Sequence, residues 1–189
     1  MDVEKSRSRK PRADAQRNRE LIVQVAKQAF TENGAGTSLD DIAKKAGVGP
    51  GTLYRHFPTR EALLEAVYQA EVEKLAEAAE QLGLELPPME ALRAWLMVFI
   101  DYLAAKKVIA AALGSLVGSN PMFEESMSKV HGAVVAIFNR AVEAGEIRPD
   151  INPVDHVRAI VGVTFFGTSE DWREGATRLV DILIQGSRP

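Results

Sequence analysis

Thr52, Tyr54, Arg55 and His56 place a hydroxyl, a phenol, a guanidinium and an imidazole within five residues. All four are hydrogen-bond donors of the kind that grip phosphate oxygens and base edges. Leu53 and Phe57, four apart, interleave with them and turn the other way on a helix. The polar set therefore faces outward, as on a helix made to lie in the DNA major groove. Catalysis fits poorly, because the three histidines, His56, His131 and His156, are scattered. No phosphate loop or nucleophile elbow accompanies them. Neither an enzyme activity, a metal nor a cofactor is expected.

Such a helix must be held by another. Thr37 and Asp40 stand three apart before an apolar residue, a spacing that suits a capping box at a helix start. Ile42 and Ala46 lie one turn apart, and Ala43 is small enough for a second helix to approach. Gly47 tolerates the left-handed backbone that ends the first helix. Gly49 then caps the second, and Pro50 suits its first position, where the missing N–H was an orphan anyway. An ordinary helical hairpin would need none of this conjunction, so the reading is a helix-turn-helix.

Residues from about Asp14 to Tyr68 resemble the N-terminal domain of the TetR family of bacterial transcriptional regulators. The matching residues are Ala29-Phe30, Asn33-Gly34, Thr37-Ser38-Leu39-Asp40-Asp41-Ile42-Ala43, Ala46-Gly47-Val48, Gly51-Thr52-Leu53-Tyr54-Arg55-His56-Phe57-Pro58 and Glu61-Ala62-Leu63-Leu64. They cover roughly a third of the chain. The resemblance implies DNA contacts from Thr37, Ser38, Gly49, Pro50, Gly51, Thr52, Tyr54, Arg55, His56 and Thr59. Thr37 would present its hydroxyl and backbone N–H to phosphate, and Tyr54 and His56 would be further phosphate contacts. Gly51 would let the backbone approach closely, and Thr52 would meet a phosphate or a thymine methyl. Arg55 alone in the helix has the fork that grips guanine, but it stands near the C-terminal end, whereas bases are usually met from the N-terminal half. Gly49-Pro50 replace the polar or basic pair common in the family. Sparse base reading, with DNA shape supplying much of the specificity, follows from that departure.

Charge divides along the chain as DNA binding by one end requires. Residues 1–60 hold 12 Lys/Arg and 7 Asp/Glu, a net of +5; residues 61–189 hold 11 and 19, a net of −8. There is no cysteine, which excludes disulfides and thiolate metal sites and suits a reducing cytoplasm. The charged N-terminus is not expected to be a signal peptide. The most apolar stretch, Ala94 to Gly118, carries Asp101, Lys106 and Lys107, so no membrane span is expected.

The whole reads as all-α with about nine helices, in three parts: a basic flexible arm over 1–13, the helix-turn-helix domain over 14–68, and an effector-binding and dimerisation domain over 69–189. The arm is either a solubilising tail or a tracker of backbone or minor groove. A helix over 14–32 turns Leu21, Ile22, Val25, Ala26, Ala29 and Phe30 inward, and Asn33-Gly34 ends it. A helix capped by Thr59 runs to about Leu82, with Leu63, Leu64, Val67 and Leu75 inward; it is the natural lever between the last two parts. Further helical segments are expected at about 89–106, 108–118, 122–144, 153–167 and 172–185.

Within the third part, Trp95, Phe99, Tyr102, Leu113, Leu116, Phe123, Met127 and His131 would line an effector pocket, apolar with Tyr102 and His131 as orienting groups. Taken singly, each is more often a core residue than a ligand contact. The segment after Arg158 is apolar nearly all round and needs cover on every side. Val157, Ile160, Val161, Thr164 and Phe165, with Ala176, Leu179, Val180 and Leu183, would form a two-fold four-helix interface, as the resemblance also implies. Burial within one chain is the alternative. The expected function is a homodimeric repressor on double-stranded DNA, released from a pseudo-palindromic operator by a small apolar or amphipathic ligand. A helical protein-interaction module and a ligand-free activator or architectural factor are the alternatives.

Overall fold

The computed structural model describes residues 9–34, 36–113, 121–166 and 171–189. Eight helices account for most of them: α1 (Arg9–Asn33), α2 (Leu39–Lys45), α3 (Pro50–His56), α4 (Arg60–Glu85), α5 (Pro88–Leu113), α6 (Pro121–Glu143), α7 (Pro153–Phe166) and α8 (Trp172–Gly186). No strand occurs among the described residues. Among the described residues the count is eight rather than about nine, because the segment foreseen at 89–106 and the described part of the one at 108–118 are one helix through Lys106-Lys107. Lysines interrupt an apolar pattern, yet they are good helix formers and place no constraint on the backbone. The gap expected around Gly118-Ser119-Asn120 and the one at Gly167-Thr168-Ser169 lie outside the described residues. Helix α1 starts at Arg9, five residues before the expected Asp14. Pro11 falls in its first turn, where a missing N–H is tolerated. Residues 9–13 are therefore helical, and the rest of the expected arm is outside the described residues.

Contacts divide the chain into two compact units, Met1–Ala70 with Lys107–Ser115, and Glu71–Lys106 with Leu116–Pro189. Both α4 and α5 are continuous across the division. In the first unit, α1, α2 and α3 pack on one another. Their shared core is Ile22, Ala26, Ala29, Phe30, Ile42, Ala43, Leu53 and Phe57, joined by Leu63, Leu64, Val67 and Tyr68 of α4. Val23 is buried in place of the expected Leu21, which is 42% exposed. Thr59 caps α4 as foreseen: the Ala62 N–H donates to its Oγ1 at 3.1 Å.

The second unit is built around α5, whose Trp95, Leu96, Phe99, Ile100 and Tyr102 are buried. Pro88 opens that helix, and the next N–H, of Met89, donates to the Glu146 carboxylate at 3.0 Å. A carboxylate there satisfies an orphan donor and complements the positive end of the helix. Arg93 grips Asp181 of α8 through Nε (2.7 Å) and a terminal nitrogen (3.2 Å), and Arg173 pairs with Asp101. The Arg93 contact raises the guanidinium pKa and lowers that of the carboxyl, chiefly through the hydrogen bond. Both pairs lie at the surface, so they fix α8 against α5 more by geometry than by energy.

Helix α7 packs against α6 and α8. That corrects part of the expected interface: Val157, Ile160, Ala176 and Val180 are buried within this one chain. Helical spacing alone does not say whether an apolar face meets its own chain or another. Val161, Leu179 and Leu183 are half-buried, and Ile182, which was not foreseen, is 66% exposed. The side chains of Thr164 and Phe165 lie outside the described residues.

Candidate nucleic-acid interface

The turn joining α2 to α3 depends on its glycines. Gly47 stands at φ +66°, in the left-handed region that other residues rarely adopt, and its N–H and that of Val48 close α2 on Lys44 and Ala43. Gly49 is the N-cap of α3, extended at φ −69° and ψ 149°, and its carbonyl accepts from Thr52 and Leu53 at 2.9 and 3.2 Å. Pro50 follows at the first helical position. Leu53 is fully buried and Phe57 nearly so, which anchors the inner face of α3.

Tyr54 is consequently 45% exposed, and Arg55 is exposed beside it. Thr52 is half-buried, while Gly49, Pro50 and Gly51 lie open. A Cβ built on Gly51 meets no heavy atom within 4 Å, so nothing in the protein itself requires a glycine there. Arg55 and His56 occupy the last turn, where the positive charge of Arg55 complements the helix dipole.

Two expected contacts are altered by the geometry. Thr37 forms no capping box. Its hydroxyl donates towards the carbonyls of Gly34 (2.8 Å) and Ala29 (3.1 Å), and its N–H donates to Gly34 at 3.3 Å. Both donors expected to meet phosphate are thus spent on the loop that follows α1, where Gly34 takes φ +72°. Ser38 is the N-cap of α2 instead, exposed, and makes no side-chain capping bond. His56 is only half outward. Its ring tilts against Phe57, and its Nε2 is buried with no partner among the described residues. Only Nδ1 remains to donate outward, in the Nδ1–H tautomer.

Sequence reasoning missed Arg19. From α1 its guanidinium lies over the Phe57 ring, 5.2 Å from the centroid, so a cation is held beside the end of α3. Nothing in the spacing of Arg19 within α1 distinguishes it from the exposed Arg17.

Five of the expected effector residues have described side chains, and these part into two groups. Trp95, Phe99 and Tyr102 form a buried column, stacked at 5.8 Å in each step. Met127 (49% exposed) and His131 lie on the outer face of α6 instead, a correction with a simple cause. The buried stripe of α6 runs through Ser126, Val130, Val134, Phe138 and Ala141, which turns residues 127 and 131 away. Leu116 lies outside the described residues, as do the side chains of Leu113 and Phe123. Among the described residues no cluster of three or more His, Asp or Glu has the placement to hold a metal ion. No described helix is long and apolar enough to cross a membrane.

An exposed, basic-ended second helix set on a first by a left-handed glycine turn defines a helix-turn-helix DNA-binding regulator. Comparison with known proteins agrees. Residues 22–67 match the bacterial regulatory proteins of the tetR family, and residues 87–189 match the C-terminal domain of SbtR-like transcriptional regulators. The crystal structure of the TetR transcriptional regulator SCO0520 from Streptomyces coelicolor superposes with a TM-score of 0.81 at 43% identity, over 90% of this chain and 98% of that one. A TetR transcription regulatory protein from Mycobacterium vanbaalenii gives 0.78 at 29% identity, over 94% and 99%. The HTH-type transcriptional regulator UidR of Escherichia coli K12 is 27% identical over 169 residues, 80% of each chain. The chain belongs to the TetR family of bacterial transcriptional regulators.

Proposed function

We propose that this regulator is a homodimeric repressor, cytoplasmic and non-enzymatic, that leaves a pseudo-palindromic operator when a small amphipathic ligand binds its second unit. The observation that carries the reading is the continuity of α4. One helix contributes Leu63, Leu64 and Val67 to the core that holds α2 and α3, and Leu75 and Ala79 to the core of the other unit. A ligand that prefers one placement of the later turns would bias the earlier ones, and only that difference in affinity can drive release.

Tyr54, Arg55, Thr52 and Ser38 are the side chains we assign to the operator, with His56 donating from Nδ1 and Thr59 flanking them. Gly49, Pro50 and Gly51 form the surface over which the DNA backbone passes. Thr37 acts through the loop it ties rather than by contact. The dimer forms through the outward faces of α7 and α8, at Val161, Leu179, Ile182 and Leu183.

Selection of binding sites from random duplex DNA, with the purified protein at fixed salt, tests the reading. The expected product is an inverted repeat with half-sites about 34–36 Å apart or a multiple of that distance. Weak, salt-sensitive binding without an enriched sequence would overturn it.

A further inference from the structure

Helices α4 and α6 run side by side in the second unit in parallel, as two contacts show. Lys129 Nζ reaches the Glu73 carboxylate at 3.1 Å, and ten residues further along α4 the Arg140 guanidinium lies against Gly83. At 1.5 Å per residue, these ends are about 15 Å apart. Between them the facing positions are small: Ala76 and Ala79 on α4, Gly132, Ala133 and Ala136 on α6. Such residues cannot fill the space between two helices, and a groove of about 640 Å³ remains, floored by the buried Ile137. That volume falls within the range of small-molecule sites, roughly 300–1,000 Å³.

The charges at its ends are not equivalent. Lys129 is matched by Glu73 and, at 3.8 Å, by Glu125. Arg140 has no carboxylate partner among the described residues. A side chain on Gly83 would collide with its guanidinium, so the glycine lets that group lie across α4. Leu84, 83% exposed, stands beside it. Glu80, the remaining charged residue of the lining, is exposed on the α4 rim.

We propose that this groove binds a small amphipathic carboxylate, its apolar chain along Ala76, Ala79, Ala133 and Ala136 and its head on the Arg140 guanidinium. An unpaired guanidinium at the end of an apolar trough complements an anion with an apolar tail, and its fork suits a carboxylate. The site deepens the ligand-released reading above, on which its regulatory consequence rests. The later turns of α4 form one wall, so an occupant touches the helix that continues into the first unit.

Calorimetric titration of the full chain, without DNA, uses decanoate and decanol as probes. Decanoate is expected to bind one per chain, and decanol at least tenfold more weakly. Arg140→Gln should weaken decanoate about tenfold and leave decanol unchanged. Gly132→Leu, at a position where a Cβ meets no heavy atom within 4 Å, puts a branched side chain into the groove and should abolish binding of both. Circular dichroism checks that each variant is folded. Absence of decanoate binding, or binding that survives Gly132→Leu, overturns the proposal. So does a change of sedimentation in Gly132→Leu, which would make the groove an interface with a second copy. Operator release is measured separately. Binding without release leaves the groove standing and removes its regulatory role; release by decanoate that persists in both variants does the reverse.

Discussion

The indole Nε1 of Trp95 donates a 2.9 Å hydrogen bond to the main-chain carbonyl of Leu75. Trp95 is fully buried on α5, and Leu75, also fully buried, lies in the interior of α4. A carbonyl there already serves its own helix, so the indole adds a second bond to it and pins one helix on the other at a fixed height. Trp95→Phe removes the bond, worth about 0.5–1.5 kcal/mol net, and leaves unfilled space in a packed interior. A loss of roughly 1–3 kcal/mol is expected, read as a lower urea midpoint at constant slope. If α4 transmits ligand binding, the same variant should also show weakened coupling between ligand and operator.

Recognition is expected to separate from stability on α3. Tyr54 and Arg55 are exposed, so Tyr54→Ala and Arg55→Ala should leave the melting temperature within about 2–4 °C of the parent while operator affinity falls at least tenfold. Gly51→Ala is a sharper case. The protein has space for the methyl group, and alanine is the better helix former by about 0.5–1 kcal/mol in a helix interior. Its stability should hold or rise while DNA binding falls, as measured by thermal melts beside filter binding. Unchanged affinity in all three would mean that the DNA passes elsewhere.

How much of this was legible in the sequence depended on whether a local rule applied. Gly34, Gly47, Gly49, Pro50 and Thr59 act where a backbone angle or a helix start demands them, and the structure has them there. Leu53 and Phe57 followed from spacing alone. Thr37 did not, because its hydroxyl can accept from a helix N–H or donate to a carbonyl, and the loop at Gly34 offers a carbonyl at 2.8 Å. Helical period marked the apolar faces of α6, α7 and α8, but not what each face meets. Met127 and His131 were therefore set inward, and Ile160 and Val180 were set against a partner. The α4–α6 groove was invisible for another reason: alanines and glycines leave space only once two helices are known to be neighbours.

The C-terminal end should be sensitive to acid. His156 is 3% exposed, its Nε2 lies 2.9 Å from the Ser187 hydroxyl, and Phe138 packs edge-on against the ring. Ser187 Oγ already donates to the Leu183 carbonyl, so the imidazole is the donor in the shared bond. Burial lowers the pKa of the ring below its ordinary 6.5, outweighing the nearby carbonyls of Leu183 and Asn152 and the charge of Asp155. The unfolded chain then takes up a proton near pH 6.5 that the folded chain refuses. Stability from this residue is complete above that pH, falls as the pH drops below it, and levels off beneath the depressed folded value. Denaturant midpoints measured from pH 8 to pH 5 should show this decline, and His156→Gln should flatten it; an unchanged slope in the variant would assign the acid sensitivity to carboxylates.

Association should be separable from folding on α7 and α8. Ile182 is 66% exposed and touches little of its own chain, whereas Ile160 is wholly buried. Ile182→Lys places a charge on the face assigned to the partner, where a like charge from the second copy would stand close by two-fold symmetry. Sedimentation should show the dimer shifting to monomer, with chemical stability of the monomer nearly unchanged. Ile160→Ala should do the opposite, costing about 2–5 kcal/mol of folding stability through the cavity it leaves. Operator affinity should collapse in Ile182→Lys even though α3 is untouched, because a monomer presents one recognition helix to a site built for two. A variant that stays dimeric would move the interface off this face.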